Sequence, residues 1–172
     1  MSEAEVMFTS DLTSLARTME FAAALGAALR AGDLVLLEGG LGAGKTTLVQ
    51  GLARGMGLAS AVKSPTYTLV HEHPAARAGG PRLGHLDLYR IPTGRDLGDL
   101  GLEELLGRGA VVVEWGARLF APDADALLLT LEGPPAGGPE DARQLRLCGR
   151  GPRGAELAAL AVAHLAPAPQ VP

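Results

Sequence analysis

Residues 39–47 constrain this chain more than any other stretch. They run Gly39, Gly40, Leu41, Gly42, Ala43, Gly44, Lys45, Thr46, Thr47, with four glycines in six positions. Before them lies an apolar run, residues 34–37, too short for a helix and continuous as in a strand buried on both faces. After them Leu48, Leu52 and Met56 recur on one helical face beside Val49 and Ala53, with Gly55 or Gly57 as the stop. A buried strand must therefore turn through a bend that glycine permits and enter a helix at once.

The bend fits G-x-x-x-x-G-K-[ST], and each residue type has a chemical reason. Glycines let successive backbone N–H groups converge on phosphate oxygens, and the following helix adds roughly +0.5 charge at its N-terminus. Lys45 is expected to reach the β- and γ-phosphates, and the Thr46 hydroxyl to ligate Mg2+. The cofactors expected are ATP and Mg2+, with all nine residues from Gly39 to Thr47 forming the cradle. A glycine-rich turn with no ligand is the plainer alternative, but the flanking strand and helix are the context a P-loop requires.

The rest of the sequence fits an α/β domain. A helical pattern is expected from Ser10, through Leu12, Leu15, Met19, Ala22, Leu25 and Leu29, capped by Thr9 or Ser10 and stopped by Gly32. Strands are expected at residues 67–70, 83–88, 110–114, 127–131 and 144–147, and helices at 97–106 and 154–165. Residues 74–82 and 133–139 read as loops. Strands alternating with helices predict a three-layer α/β/α P-loop NTPase fold, with a largely parallel central sheet and an antiparallel C-terminal part. Residues 1–165 are expected to form one domain, with 166–172 a disordered tail.

Hydrolysis needs acids near the metal and a means of positioning water. Glu114 and Asp87 end the strands at 110–114 and 83–88, at the carboxyl edge where open α/β sheets bind ligands. One is expected to hold Mg2+ while the other orients water; spacing leaves open which does which. Thr66 follows Thr46 by twenty residues, a distance suited to a switch threonine that senses the γ-phosphate, although Pro65 alone would also make a turn there. Lys63 sits beside it, and Lys45 and Lys63 are the only lysines against thirteen arginines. His71, His73 and His85 form a weak metal-site pattern with no cysteine beside them, equally suited to a solvated strand face. Tyr67, Tyr89 and Trp115, among only six aromatics, each border a motif and read as site walls or a partner-facing patch.

Composition closes off other classes. The net charge of −4 argues against a protein that grips nucleic acid by its phosphates, and Arg143, Arg146, Arg150 and Arg153 read as a solvated strand and turn. No apolar run approaches the ~20 residues of a membrane span, and the first residues are acidic where a secretory signal is basic. Cys148 is the single cysteine, read as a small buried hydrophobe, so a reducing, cytoplasmic setting is expected.

Together, residues 41–47, 63–69 and 85–90 and the pair Glu114 and Trp115 resemble the TsaE (YjeE) family of tRNA threonylcarbamoyladenosine biosynthesis. The likeness covers about residues 10–118 in order, with a weaker echo to 147. It implies a small cytoplasmic ATPase that joins TsaB and TsaD, meeting tRNA only indirectly. ATP hydrolysis would support repeated threonylcarbamoyl transfer to adenosine 37, with the transfer chemistry in TsaD. By position it implies Lys45 and Thr46 at phosphate and magnesium, Thr66 as the switch, Asp87 and Glu114 as the acids, and Tyr89 with Trp115 beside them. Gly40 stands where the family usually has an acid. Adenine-side contacts are expected from residues 9–11 and from Ala142 and Arg143. The competing readings are a small-molecule kinase, which would need a lid; a GTPase, for which no N-K-x-D motif is present; and a binding module without hydrolysis.

Overall fold

A computed structural model describes residues 6–58, 62–63, 69–91, 100–117, 120 and 123–165. The expected tail at 166–172, and Thr66 with most of its segment, lie outside the described residues. The elements in chain order are β1 (Val6–Leu12), α1 (Leu15–Ala28), β2 (Leu34–Glu38), α2 (Lys45–Gly55), β3 (Val70–His73), β4 (Arg82–Asp87), α3 (Leu102–Arg108), β5 (Gly109–Glu114), β6 (Ala126–Glu132), β7 (Arg143–Arg150) and α4 (Gly151–Leu165).

The seven strands form one sheet in the order β1-β7-β6-β2-β5-β4-β3. Its centre, β6-β2-β5-β4, is parallel, and β3, β7 and β1 pair antiparallel to their neighbours. β2 and β5 are buried along almost their whole length, as parallel strands covered on both faces must be. Alternate residues feed two cores. Val35, Leu37, Val112, Leu129 and Leu145 pack with α1, α2 and α4, whereas Leu34, Leu36, Val111 and Val113 pack with Leu105 of α3. That is the three-layer P-loop fold, and it sets α2 against the face carrying the odd-numbered side chains of β4 and the even-numbered ones of β5.

α1 and α2 approach closely because glycines line the contact. A Cβ on Gly26 would stand 2.2 Å from the Leu52 carbonyl oxygen, and one on Gly55 would stand 1.9 Å from that of Ala23. Remote from this contact, Arg153 at the start of α4 grips Asp33 with two 2.8 Å hydrogen bonds and donates a third, at 2.9 Å, to the Ala28 carbonyl. One side chain thus ties α4, the end of α1 and the approach to β2.

Several expectations are corrected here. Residues from Ser10 do not begin the first helix: Thr9 and Ser10 lie in β1, which pairs along its full length with β7. α1 is capped instead by Ser14, whose Oγ accepts from the Arg17 N–H at 3.1 Å, and ends at Leu29 rather than Gly32. Of the strand expected at 67–70 and the helix expected at 97–106, residues 67–68 and 97–99 lie outside the described residues; among those described, Leu69 is not in a strand, β3 continues to His73, and α3 runs Leu102–Arg108. The arginines of the C-terminal part also differ from one another, since Arg143 and Arg153 turn inward while Arg146 pairs with Glu132 at the surface.

Candidate nucleotide site

β2 ends at Glu38, and the chain bends through Gly39, Gly42 and Gly44, all at positive φ, before α2 begins at Lys45. Gly39 has a second constraint: a Cβ there would lie 2.5 Å from the Leu131 carbonyl oxygen of the neighbouring strand. Gly40, by contrast, has open space where a side chain would stand, so an acid at this position meets no steric bar.

The sheet register brings the acids to this bend. Leu37, Glu114 and Asp87 are direct partners across β2, β5 and β4, at the carboxyl ends of three parallel strands. Alternation puts Asp87 and Glu114 on the face covered by α2. A cavity of about 600 Å³ opens there, lined by Lys45, Thr46, Asp87, Glu114, Trp115 and Arg143, with the bend as its floor. Leu41, Thr47, Tyr89 and Arg90 complete its wall.

Lys45 is buried, and its ammonium donates to the Gly39 and Gly40 carbonyl oxygens at 2.7 and 2.9 Å. It also lies 4.3 Å from the centre of the Trp115 ring, a cation–π contact. Burial holds the ammonium below its ordinary pKa, opposed by the attraction of Glu114, Asp87 and Glu38. The ammonium is thus desolvated, near three acids and satisfied by its own loop.

Trp115 follows Glu114 directly and is the one non-glycine residue at positive φ among those described, at 61°. Such backbone costs about 1–3 kcal/mol and persists where surrounding contacts hold it. Its N–H donates to the Leu37 carbonyl at 2.9 Å, and its ring packs 5.1 Å from Tyr89. Glu38 secures the same turn by accepting from the Ala117 N–H at 2.8 Å. Asp87 accepts from the Tyr89 N–H at 3.0 Å, which fixes the start of the following turn.

Arg143, expected on the adenine side, reaches the loop backbone: its Nε donates to the Ala43 carbonyl at 2.8 Å, and its Nη1 to the carbonyls of Glu140 and Ala142. It also borders a second cavity, about 470 Å³, on the opposite side of the bend. Residues 9–11 are not brought to either cavity. His71, His73 and His85 do adjoin one another, with ring centres 6.1 and 6.4 Å apart in that order. No cluster of three metal-ligating side chains occurs among the described residues. Sequence reasoning passed over two features of the site: the Glu38 contact and a buried 2.8 Å bond between His85 Nε2 and Glu114 Oε1.

The donor set suits a nucleoside triphosphate with a divalent cation. An ammonium stands beside a glycine bend, and a hydroxyl with two carboxylates offers the kind of hard oxygens that Mg2+ prefers. A family model described as "Threonylcarbamoyl adenosine biosynthesis protein TsaE" matches residues 12–136. The tRNA threonylcarbamoyladenosine biosynthesis protein TsaE of Streptomyces coelicolor is 42% identical over 127 residues, covering 73% of this chain and 85% of its own. The protein of the same name from Mycobacterium leprae is 44% identical over 108 residues, 59% of this chain and 67% of its own. Among solved structures, Bacillus subtilis YdiB superposes with a TM-score of 0.70 at 25% identity, over 95% of this chain and 99% of that one.

Proposed function

This chain belongs to the TsaE family of threonylcarbamoyl adenosine biosynthesis proteins, and from that premise we propose that it is a Mg2+-dependent ATPase serving tRNA threonylcarbamoyladenosine formation. The observation that carries the reading is the placement of Asp87 and Glu114, opposite one another on β4 and β5, facing the ammonium of Lys45 across one cavity. A binding loop alone needs no such pair; hydrolysis does.

In this reading the amides of residues 39–47 and the Lys45 ammonium bind the phosphate chain. Thr46 and one of the two acids hold magnesium, and the other acid orients the attacking water. When bound, magnesium would offset charge developing on the phosphoryl oxygens. Trp115 and Tyr89 wall the cavity, and Arg90, exposed at its rim, is the cation available in cis to the transferring phosphate. Thr66 keeps the switch role that the family resemblance implies.

Family resemblance also supports TsaB and TsaD as the partners, with tRNA met only through them and the cytoplasm as the setting. No helix among the described residues is long and apolar enough to cross a membrane. Hydrolysis by the isolated chain is expected to be slow, because Arg90 stands exposed at the rim and an arginine held against the transferring phosphate, a placement that partner binding would complete, is worth ~10³–10⁵ in rate. The test is phosphate release from ATP with Mg2+, with and without TsaB and TsaD. Stimulation by the partners is expected, and equal rates with and without them would refute the partner-dependent part. Transfer of the phosphoryl group to a small hydroxyl compound in place of water would point to a kinase instead.

A further inference from the structure

We infer that His85 is the positioning residue of Glu114, its imidazole holding one carboxylate oxygen so that the other serves the nucleotide cavity. The inference deepens the hydrolytic reading above and rests on it for its kinetic arm. His85 is fully buried, the Glu114 side chain is 4% exposed, and Nε2 lies 2.8 Å from Oε1. A carboxylate only accepts, so this bond requires the hydrogen on Nε2.

Three observations separate this arrangement from ordinary core filling. First, the imidazole is fully buried within the sheet: Val112 is its direct partner on β5, Leu83 and Leu86 lie near it on β4, and on the β3 side it meets His71 and the ring of His73. Burying a polar ring there is costly unless its hydrogen bond is used. Second, His85 Nδ1 has no partner among the described residues, so the bond to Glu114 is what the ring supplies. Third, His85 and Asp87 are two apart on one strand and share a face, so the same strand that delivers one acid braces the other.

The physical need is clear. A glutamate carries three rotatable side-chain bonds, and at the boundary between core and cavity its carboxylate has several orientations available. One fixed oxygen leaves a single direction for the second. Side chains that orient a functional group in this way are typically worth 10–100-fold in activity.

The experiment compares His85→Leu with His85→Gln in the full chain; the glutamine amide can donate from nearly the position of Nε2. Phosphate release by His85→Leu should fall about 10–100-fold, while ATP affinity by calorimetry stays within about threefold of native. His85→Gln should recover most of the loss, and His85→Leu should add nothing further to Glu114→Gln. In the nucleotide-free protein, the Nε2-bound proton of His85 should give a slowly exchanging imidazole signal by NMR that is absent from Glu114→Ala. Native turnover in His85→Leu, equal impairment of the leucine and glutamine variants, or the absence of that imidazole signal would each overturn the inference. If the native chain released no phosphate, the hydrolytic reading would fail separately, and the imidazole signal would decide the His85–Glu114 bond by itself. The same signal, with the glutamine variant, decides it should His85→Leu not fold.

Discussion

Two buried polar contacts in this molecule look alike by distance and do different things. Arg153 and Asp33 form a bidentate pair in which both carboxylate oxygens are engaged, and the guanidinium also meets the Ala28 carbonyl and Glu156. Nothing is left over, and the result is a tie between α4, α1 and β2. His85 and Glu114 form a single bond, Glu114 borders a cavity, and nearby Lys45 spends its hydrogen bonds on carbonyls of its own loop. The first contact is satisfied and structural. The second retains unused acceptor capacity beside a desolvated ammonium, which is how a binding site differs from a staple.

Substitutions can break this contrast or sharpen it. The largest effect is expected for Lys45→Ala, which should remove ATP binding while leaving the thermal midpoint near native, because its two hydrogen bonds go to part-buried carbonyls beside the cavity, which entering water can satisfy. Glu114→Gln should next lower phosphate release by about 10²–10³-fold, in the range for loss of a positioned general base, with ATP affinity retained. Asp33→Ala should invert the pattern. It strands the Arg153 guanidinium and should cost about 3 kcal/mol in denaturant unfolding, with turnover of the folded fraction unchanged. If Asp33→Ala impaired turnover directly, or Glu114→Gln unfolded the chain, the division between staple and site would fail.

The smallest expected effect is on pH. In the free protein the Lys45 ammonium titrates below 10.5 because burial disfavours its charge. Bound phosphate favours the charged form, so the free-state pKa lies below the bound-state value. ATP affinity should therefore be full below the free-state pKa and decline as pH rises through it, beginning below the range of an ordinary lysine. Calorimetry from about pH 7 to 10 measures this. A flat profile over that range would contradict the burial of Lys45 as its controlling feature.

The parts of the fold that were legible beforehand were those written in local pattern. The glycine bend between an apolar strand and an amphipathic helix, the all-apolar strand β5 ending in Glu114, and the Ala/Leu helix α4 all carry their cause within a dozen residues. β1 does not. Its partner is β7, more than a hundred residues away, and the apolar positions Leu12 and Leu15 continue into α1 with a spacing that imitates one longer helix. Thr9, Ser10 and Ser14 are all competent caps, and only pairing with β7 decides for Ser14. The extension of β3 to His73 was missed for a similar reason: His71, Glu72 and His73 are modest strand formers, held extended by β4.

In the candidate site, the glycine bend and the two strand-end acids that border the cavity could be named from residue types, whereas their bracing could not. Glu38 reaches Ala117, and His85 reaches Glu114, across strands whose adjacency is a property of the sheet order. Along one strand a histidine in an apolar run reads as a stray polar residue; only register shows what it faces. Arg143 illustrates the intermediate case. Its nearness to the nucleotide region was readable, but its clasp on the Ala43 carbonyl depends on how the β6–β7 connection folds back.

Calorimetric titration of the native chain and of Lys45→Ala with ATP and Mg2+ tests the central assignment most directly. The account predicts saturable binding at one site in the native protein and none in the variant, with both proteins folded. Undiminished ATP binding by a folded Lys45→Ala variant would contradict it.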